Sequence, residues 1–369
     1  MKLSDFDYAL PAERIADAPL VERDASRMLV VDRCAGTWED AVFRELPERL
    51  RGNELIVVNN TRVIPARLFG RRAGVHAEAP GRQGRRGFLE ATIEVLLVKR
   101  LGPDRWEALV RPGRKIRTGE RIFFGEGLEA EVVGRGDYGL REVRLTSEGN
   151  LEEAIERVGH VPLPPYIHRT DRPSDRERYQ TIFARTGTAA AAPTAGLHFT
   201  PKLVERLRER GVELAELTLE VGLGTFQPIH TEQVEEHQIH REPYEIPQAT
   251  ADAIARARRE GRPVLAIGTT VVRALEDAAL KFERAHGAVA ADGSGEVLAP
   301  GRAEADIYIY PGHRFRVVDE LLTNFHLPRS SLLVMVSAFA GRELLLQAYG
   351  HAIREGYRFY SYGDCMWIR

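Results

Sequence analysis

Hydrophobic and polar positions change their rhythm twice along the chain. Residues 1–68 mix short apolar runs with polar clusters: Leu29-Val30-Val31 and Leu55-Ile56-Val57-Val58 read as buried strands, and the second leads into Asn59-Asn60-Thr61-Arg62. From 69 to 150 the runs at 91–98, 105–110, 121–124, 128–133 and 141–145 are strand-like, with turns such as Gly102-Pro103-Asp104 between them. No amphipathic helix interrupts this series, which predicts a small all-β unit, barrel or sandwich, set into a larger fold. Within it, 72–87 is rich in Arg and Gly without apolar periodicity and is expected to be a disordered loop.

After residue 150 the pattern becomes α/β. Thr200-Pro201 offers an N-cap and a first-turn proline for a helix that Gly211 stops, and a strand is expected at 216–221. The spacing predicts helices at 249–260 and 271–283 around a buried strand at 264–267, then a surface loop at 286–301. Strands are expected at 306–310, 315–321 and 357–363, with one long helix starting at Ser331. The fold class is therefore α/β. Residues 1–68 and 151–369 would form a large α/β domain, a mixed sheet or barrel with surrounding helices, and 69–150 a smaller inserted all-β barrel-like domain.

Composition narrows the class. With 43% hydrophobic and 29% charged residues, the 369-residue chain is neither disordered, collagenous nor coiled-coil. Two cysteines, Cys34 and Cys365, are too few for a disulfide framework and suit a reducing, cytoplasmic compartment. Asp5 and Asp7 without an apolar run argue against a signal peptide, and the apolar stretch 332–340 is shorter than the roughly 20 residues of a membrane span, so no membrane partner is expected. The net charge of −2 excludes a wholly basic nucleic-acid coat. It hides a polarity, because 67–121 holds fourteen Lys and Arg against six Asp and Glu. That excess of +8 leaves −10 for the rest, which suits RNA held on one side of the molecule.

Several segments put small and polar residues where an α/β unit holds its ligand. Gly268-Thr269-Thr270 follows the buried strand at 264–267, with Arg273 one turn on; the threonines either cap the helix or meet an anionic or carbonyl-bearing ligand. Gly222-Leu223-Gly224 follows the strand at 216–221 but lacks the third glycine and the apolar helix of a dinucleotide site. Thr194 and His198 lie in one short segment before the Thr200 cap, and Thr323-Asn324-Phe325-His326 packs an amide and an imidazole into a loop ending at Pro328. The proline-dense 159–169 is either a stiff linker or a platform offering Tyr166 to an unpaired base and Arg169 to a phosphate. No zinc-helix, P-loop or Gly-x-Ser-x-Gly pattern is present, so no metal site is expected.

Taken together, the stretches at 59–70, 159–169, 178–184, 191–200, 218–228, 264–276, 317–341 and 357–368 resemble the S-adenosylmethionine:tRNA ribosyltransferase-isomerase family of queuosine biosynthesis, and they run in family order over nearly the whole chain. The resemblance implies an enzyme that uses S-adenosylmethionine as a ribosyl donor. Ribose would pass to 7-aminomethyl-7-deazaguanine at the tRNA wobble position and isomerise to give epoxyqueuosine, releasing adenine and methionine. S-adenosylmethionine is then a co-substrate, tRNA the partner, and no prosthetic group or metal is needed; a monomer is expected. Carried onto matching positions, His198, His326 and Asp364 become acid/base candidates. Thr194, Gly224, Thr269, Thr270, Arg273 and Asn324 become candidates for holding the adenosyl and methionine parts, with Arg273 forking onto the carboxylate. Arg62, Arg67, Tyr166 and Arg169 become candidates for RNA contact. Two departures from the family pattern stand out: Glu220 where a histidine is common, and Val271 where a serine is usual. An S-adenosylmethionine-dependent RNA methyltransferase is the rival enzyme, though the glycine-rich loop such enzymes carry after the first strand is missing. A non-catalytic RNA-binding protein is the rival outside enzymes.

Overall fold

The computed structural model describes residues 1–72, 91–113, 116–136, 139–222, 229, 231–287 and 295–369. Nine described strands form an open sheet in the order Gly301–Ala305, Glu242–Ile246, Glu213–Leu219, Leu55–Asn59, Val264–Ile267, Glu320–Asn324, Cys365–Ile368, Arg27–Asp32, Thr37–Val42. The four strands from Glu213–Leu219 to Glu320–Asn324 run parallel, and antiparallel neighbours flank them on both sides. Continuous apolar runs are what a doubly covered parallel sheet demands. Leu55 and Val57 enter one core with Val264 and Ala266, while Ile56 and Val58 enter the other with Leu265 and Ile267. Helices Gln248–Arg259, Thr269–His286 and Ser331–Ala340 cover the first face, and Pro201–Glu209 covers the second through Leu203, Val204 and Leu207.

Six antiparallel strands, Arg67–Arg72, Thr92–Arg100, Arg105–Arg111, Arg121–Gly125, Leu128–Arg135 and Leu140–Thr146, close into a barrel. Alternation along them points Ile93, Val95, Trp106, Ala108, Ile122, Val132 and Val143 inward. Helix Leu151–Val158, capped by the Asn150 side chain accepting from Glu153 N–H at 3.1 Å, adds Ala154 and Ile155 to that core. The proline-dense segment is no free linker. His160 exchanges backbone hydrogen bonds with Arg67 at 3.2 and 2.8 Å, tying it to the barrel's first strand. Gly159 makes this approach possible, because a Cβ there would stand 2.0 Å from the Pro65 carbonyl oxygen.

The mixed sheet with helices and the closed barrel agree with the expected class, and Thr200 caps its helix as read, accepting from Leu203 N–H at 3.1 Å. Three readings need correction. The runs at 306–310 and 315–321 form no strands until Glu320–Asn324, because the N–H groups of Arg316, Val317 and Val318 donate to the buried Glu276 carboxylate at 2.8–3.0 Å instead of to a ladder. The long helix from Ser331 is two, Ser331–Ala340 and Arg342–Arg354, bent by 112° at Gly341, whose φ of +85° stops the first. The C-terminal strand is Cys365–Ile368, and the aromatic stretch before it turns through Tyr360 at φ +75°. Among the described residues no single helix is long and apolar enough to cross a membrane, although that bent pair passes by length and composition. Gly224 and all of 72–87 except Arg72 lie outside the described residues, as do 288–294 of the expected loop at 286–301.

Candidate active site

The parallel strands deliver their following residues to one end of the sheet, where an α/β fold leaves a crevice. There a cleft of about 440 Å³ opens, lined by Val221 and Ile229, by Gly268, Thr269 and Thr270, and by a run from Thr323 to Ser330. Ala192 to Ala195 and the Tyr166, Tyr360 and Ser361 side close it. Its volume falls in the roughly 300–1,000 Å³ range of small-molecule sites.

Gly268 makes the strand-to-helix corner at φ +93°, with Ala195 only 3.6 Å from where its Cβ would be. The helix therefore begins at Thr269 on the cleft floor. Asn59, at the end of its own strand, fixes that corner: its Oδ1 accepts from Thr61 and Leu219 N–H, and its Nδ2 donates to Leu219 O at 3.0 Å and to Thr270 Oγ1 at 3.4 Å. Val271 is wholly buried in the core and does not line the cleft, so the serine it replaces costs the described cleft no hydroxyl. Glu220 is likewise not among the lining residues.

His326 is held at three points. Its N–H donates to Tyr349 Oη at 3.0 Å, its carbonyl accepts from Tyr8 Oη, and its Nε2 bonds Thr323 Oγ1 at 2.8 Å. Burial pushes its pKa down to about 3, so the ring is neutral near pH 7. In the tautomer that donates from Nε2 to Thr323 Oγ1, Nδ1 carries the lone pair. Asn324 donates through Nδ2 to Tyr360 O at 2.9 Å, and its Oδ1 is buried without a hydrogen-bond partner among the described residues. Tyr166 packs its ring on Tyr360 at 4.1 Å between centroids and shares a hydrogen bond with Ser361.

The structure thus brings Thr194, Thr269, Thr270, Asn324, His326 and Tyr166 together around one cleft. Tyr166 belongs to the cleft wall rather than to an outward platform. His198 stands behind, in a small crevice with Arg23 and Ser26. Its Nδ1 meets Ser26 Oγ at 3.0 Å, and its Nε2 lies beside the Asn324 amide without closing a well-formed bond. Burial lowers its pKa to about 4, with the Asn324 side chain opposing in part.

The remaining expected site residues are committed elsewhere. Asp364 does not reach the cleft: its carboxylate accepts from Arg27 N–H at 3.0 Å and Arg358 N–H at 2.8 Å, pinning the C-terminal turn to the first strand, while burial raises its pKa. Arg273 donates Nη1 to the Glu242 carboxylate, Nε to Ile307 O and Nη2 to Ala305 O and His240 O. Those donors brace two strands and are not available to fork onto a ligand carboxylate. Arg169 grips Asp175 bidentately at 2.6 and 2.9 Å, and its side chain is only 14% exposed. Arg67 is likewise turned to Leu163 O and Glu94. Arg62 remains at the surface, paired with Glu156 at 2.7 Å. The lining residues Thr323, Arg329, Tyr360 and Ser361 were not foreseen, although all four lie in the stretches that carry the resemblance. Adjacency to His326 was the usable signal for two of them. Among the described residues no cluster of His, Cys, Asp and Glu could hold a metal ion.

Comparison with known proteins agrees along the whole chain. The family described as "Queuosine biosynthesis protein" matches residues 3–368. The S-adenosylmethionine:tRNA ribosyltransferase-isomerases of Solibacter usitatus and Geobacter metallireducens are 55% and 51% identical, each alignment covering 100% of both chains. The crystal structure of the S-adenosylmethionine tRNA ribosyltransferase of Thermotoga maritima is 34% identical over 99% of this chain and 100% of that one, with a TM-score of 0.52.

Proposed function

This chain belongs to the queuosine biosynthesis protein family, and from that premise we propose that its cleft is where S-adenosylmethionine gives up its ribosyl group to tRNA. The activity is ribosyl transfer with isomerisation; the acceptor is 7-aminomethyl-7-deazaguanine at the wobble position, and adenine and methionine leave. The observation that carries this reading is the gathering of Thr194, Thr269, Thr270, Asn324 and His326 around a cleft of about 440 Å³ at the ends of the parallel strands.

The sulfonium of the donor acidifies the ribose C5′ proton and makes methionine a good leaving group. The protein must take that proton and help adenine depart. His326 would serve here; what supports this is that its ring is neutral, its loop is fixed by Thr323 and Tyr349, and it lines the cleft. Its low proton affinity favours handing a proton on to the departing adenine and works against taking one from C5′, so the base step would lean on the sulfonium having acidified that proton. Asn324, whose Oδ1 faces the His198 ring, would hold that wall of the cleft against the adenosyl or methionine part. Thr194, Thr269 and Thr270 would bind the adenosyl part, and Tyr166 on Tyr360 would stack a base. His198 is a positioning residue behind Asn324. Arg62 would exchange its surface partner for an RNA phosphate.

The enzyme would work as a cytoplasmic monomer without a metal, with residues 1–68 and 151–369 as its catalytic domain and 69–150 as the inserted one. The decisive assay incubates the protein with labelled S-adenosylmethionine and tRNA carrying the deazaguanine. Free adenine plus methionine is expected. S-adenosylhomocysteine would mean methyl transfer, and no turnover would leave only binding.

A further inference from the structure

We propose that Arg329, at the mouth of the cleft, is the binding residue for the carboxylate of the methionine end of S-adenosylmethionine; this rests on the reading that the donor occupies the cleft. Amino-acid carboxylates entering a water-poor site need a cation or several N–H donors. Among the described lining residues Arg329 is the one formally charged side chain, since no carboxylate or lysine lines the cleft and His326 is neutral. Arg273, one turn beyond the floor, has its guanidinium taken up by Glu242 and three carbonyl oxygens. The other arginines nearby are engaged too. Arg23 and Arg178 bind backbone carbonyls, Arg169 binds Asp175, and Arg358 binds the carbonyls of Ala18 and Tyr362. Arg329 has no carboxylate partner among the described residues, and its side chain is exposed.

Its backbone is also set with care. Arg329 adopts φ +58°, a left-handed conformation that bulky side chains rarely take. The turn is held on both sides. Arg329 N–H donates to Phe6 O at 2.9 Å, and Ser330 next to it caps the following helix, accepting from Leu333 N–H at 3.2 Å. The chain thus holds a difficult turn that places one uncommitted guanidinium four residues from Phe325 and three from His326 on the same wall. A carboxylate there would leave the sulfonium and ribose deeper in, toward His326 and the threonines. An RNA phosphate at the mouth is the competing anion, and the KM for tRNA tells it apart from the methionine carboxylate.

The test uses Arg329→Asn, because asparagine tolerates the left-handed backbone, and Arg329→Lys as the conservative control. Each is assayed with S-adenosylmethionine and with its decarboxylated analogue, at fixed tRNA and salt. Arg329→Asn should raise KM for S-adenosylmethionine about 10- to 100-fold with little change in kcat, as loss of a charge-assisted pair does. Arg329→Lys should recover part of that loss. For the decarboxylated donor, whose KM should already be high with the unmodified protein, Arg329→Asn should add nothing. An equal rise for both donors, or an unchanged KM for S-adenosylmethionine with a raised KM for tRNA, would overturn the carboxylate assignment. If the unmodified protein releases no adenine, the parent reading fails instead, so the two failures are told apart.

Discussion

Around the barrel, charged side chains answer one another at the surface: Arg105 with Glu142, Arg121 with Glu129, Arg157 with Glu126, Arg100 with Glu152. At the cleft, polar side chains are buried and uncharged and are held by neighbours that leave one face open, as Asn324 is by Tyr360 O and His326 by Thr323. Exposed pairs are redundant and weakly coupled, so each contributes little. Buried polar groups with one open valence are costly to keep and are kept where a ligand completes them. The same chain therefore spends its arginines on solubility and shape in one region and withholds charge almost entirely from the other.

The largest effect should come from the cleft. His326→Gln should lower kcat about 10²- to 10⁴-fold while tRNA affinity, measured by filter binding at fixed salt, stays the same. Equal loss of both would make His326 a structural residue and erase the contrast. The seam between the two regions ranks next. Gly159→Ala drives a methyl group into the Pro65 carbonyl and should cost about 3 kcal/mol in denaturant unfolding.

Acid should then separate the regions by pH. His198 and His326 have folded-state pKa values of about 4 and about 3, below the ordinary 6.5, so the unfolded chain binds more protons. Stability is complete above about pH 6.5 and falls as the pH drops toward those folded values, by about 2 kcal/mol per imidazole between pH 6.5 and 5. His198→Gln should flatten that slope by about half; a slope unchanged in the variant would remove burial as its cause. The smallest effect belongs to the barrel surface, where Arg121→Ala should cost about 0.5 kcal/mol and leave turnover intact. A large loss there would show that the ion pairs are not redundant.

Local signals were readable wherever the backbone does what its own residues ask. The Thr200 cap, the run at 264–267 and the alternating barrel strands from Thr92 onward are of this kind, whereas the barrel's first strand, Arg67–Arg72, is not among the expected runs. Where a distant side chain replaces a ladder, the sequence misleads: 315–319 has strand composition, yet the amides of Arg316, Val317 and Val318 belong to Glu276, about forty residues earlier. The site shows the same divide. Six expected residues meet in the cleft because short motifs at strand ends converge by topology. Arg273, Arg169 and Asp364 sit in equally suggestive motifs, and only the fold reveals that Glu242, Asp175 and two backbone amides have already claimed them. Arg329 carries no signal in an arginine-rich sequence, and only the fold shows that it has no carboxylate partner among the described residues.

The barrel closes on itself, but the nine-stranded sheet ends, among the described residues, at two edge strands, Thr37–Val42 and Gly301–Ala305. An unpaired edge is a template for another chain, and each of these carries a defence. Glu39 and Asp40 stand on one, held by Arg49, Arg27 and His351; Arg302 and Glu304 stand on the other. Lys99 of the barrel reaches Glu304 at 3.1 Å, so the inserted strands also guard the border of the sheet that carries them. A second copy seeking to continue either edge would have to strip these charges of water and of their partners, and the sheet stops growing where this chain stops it.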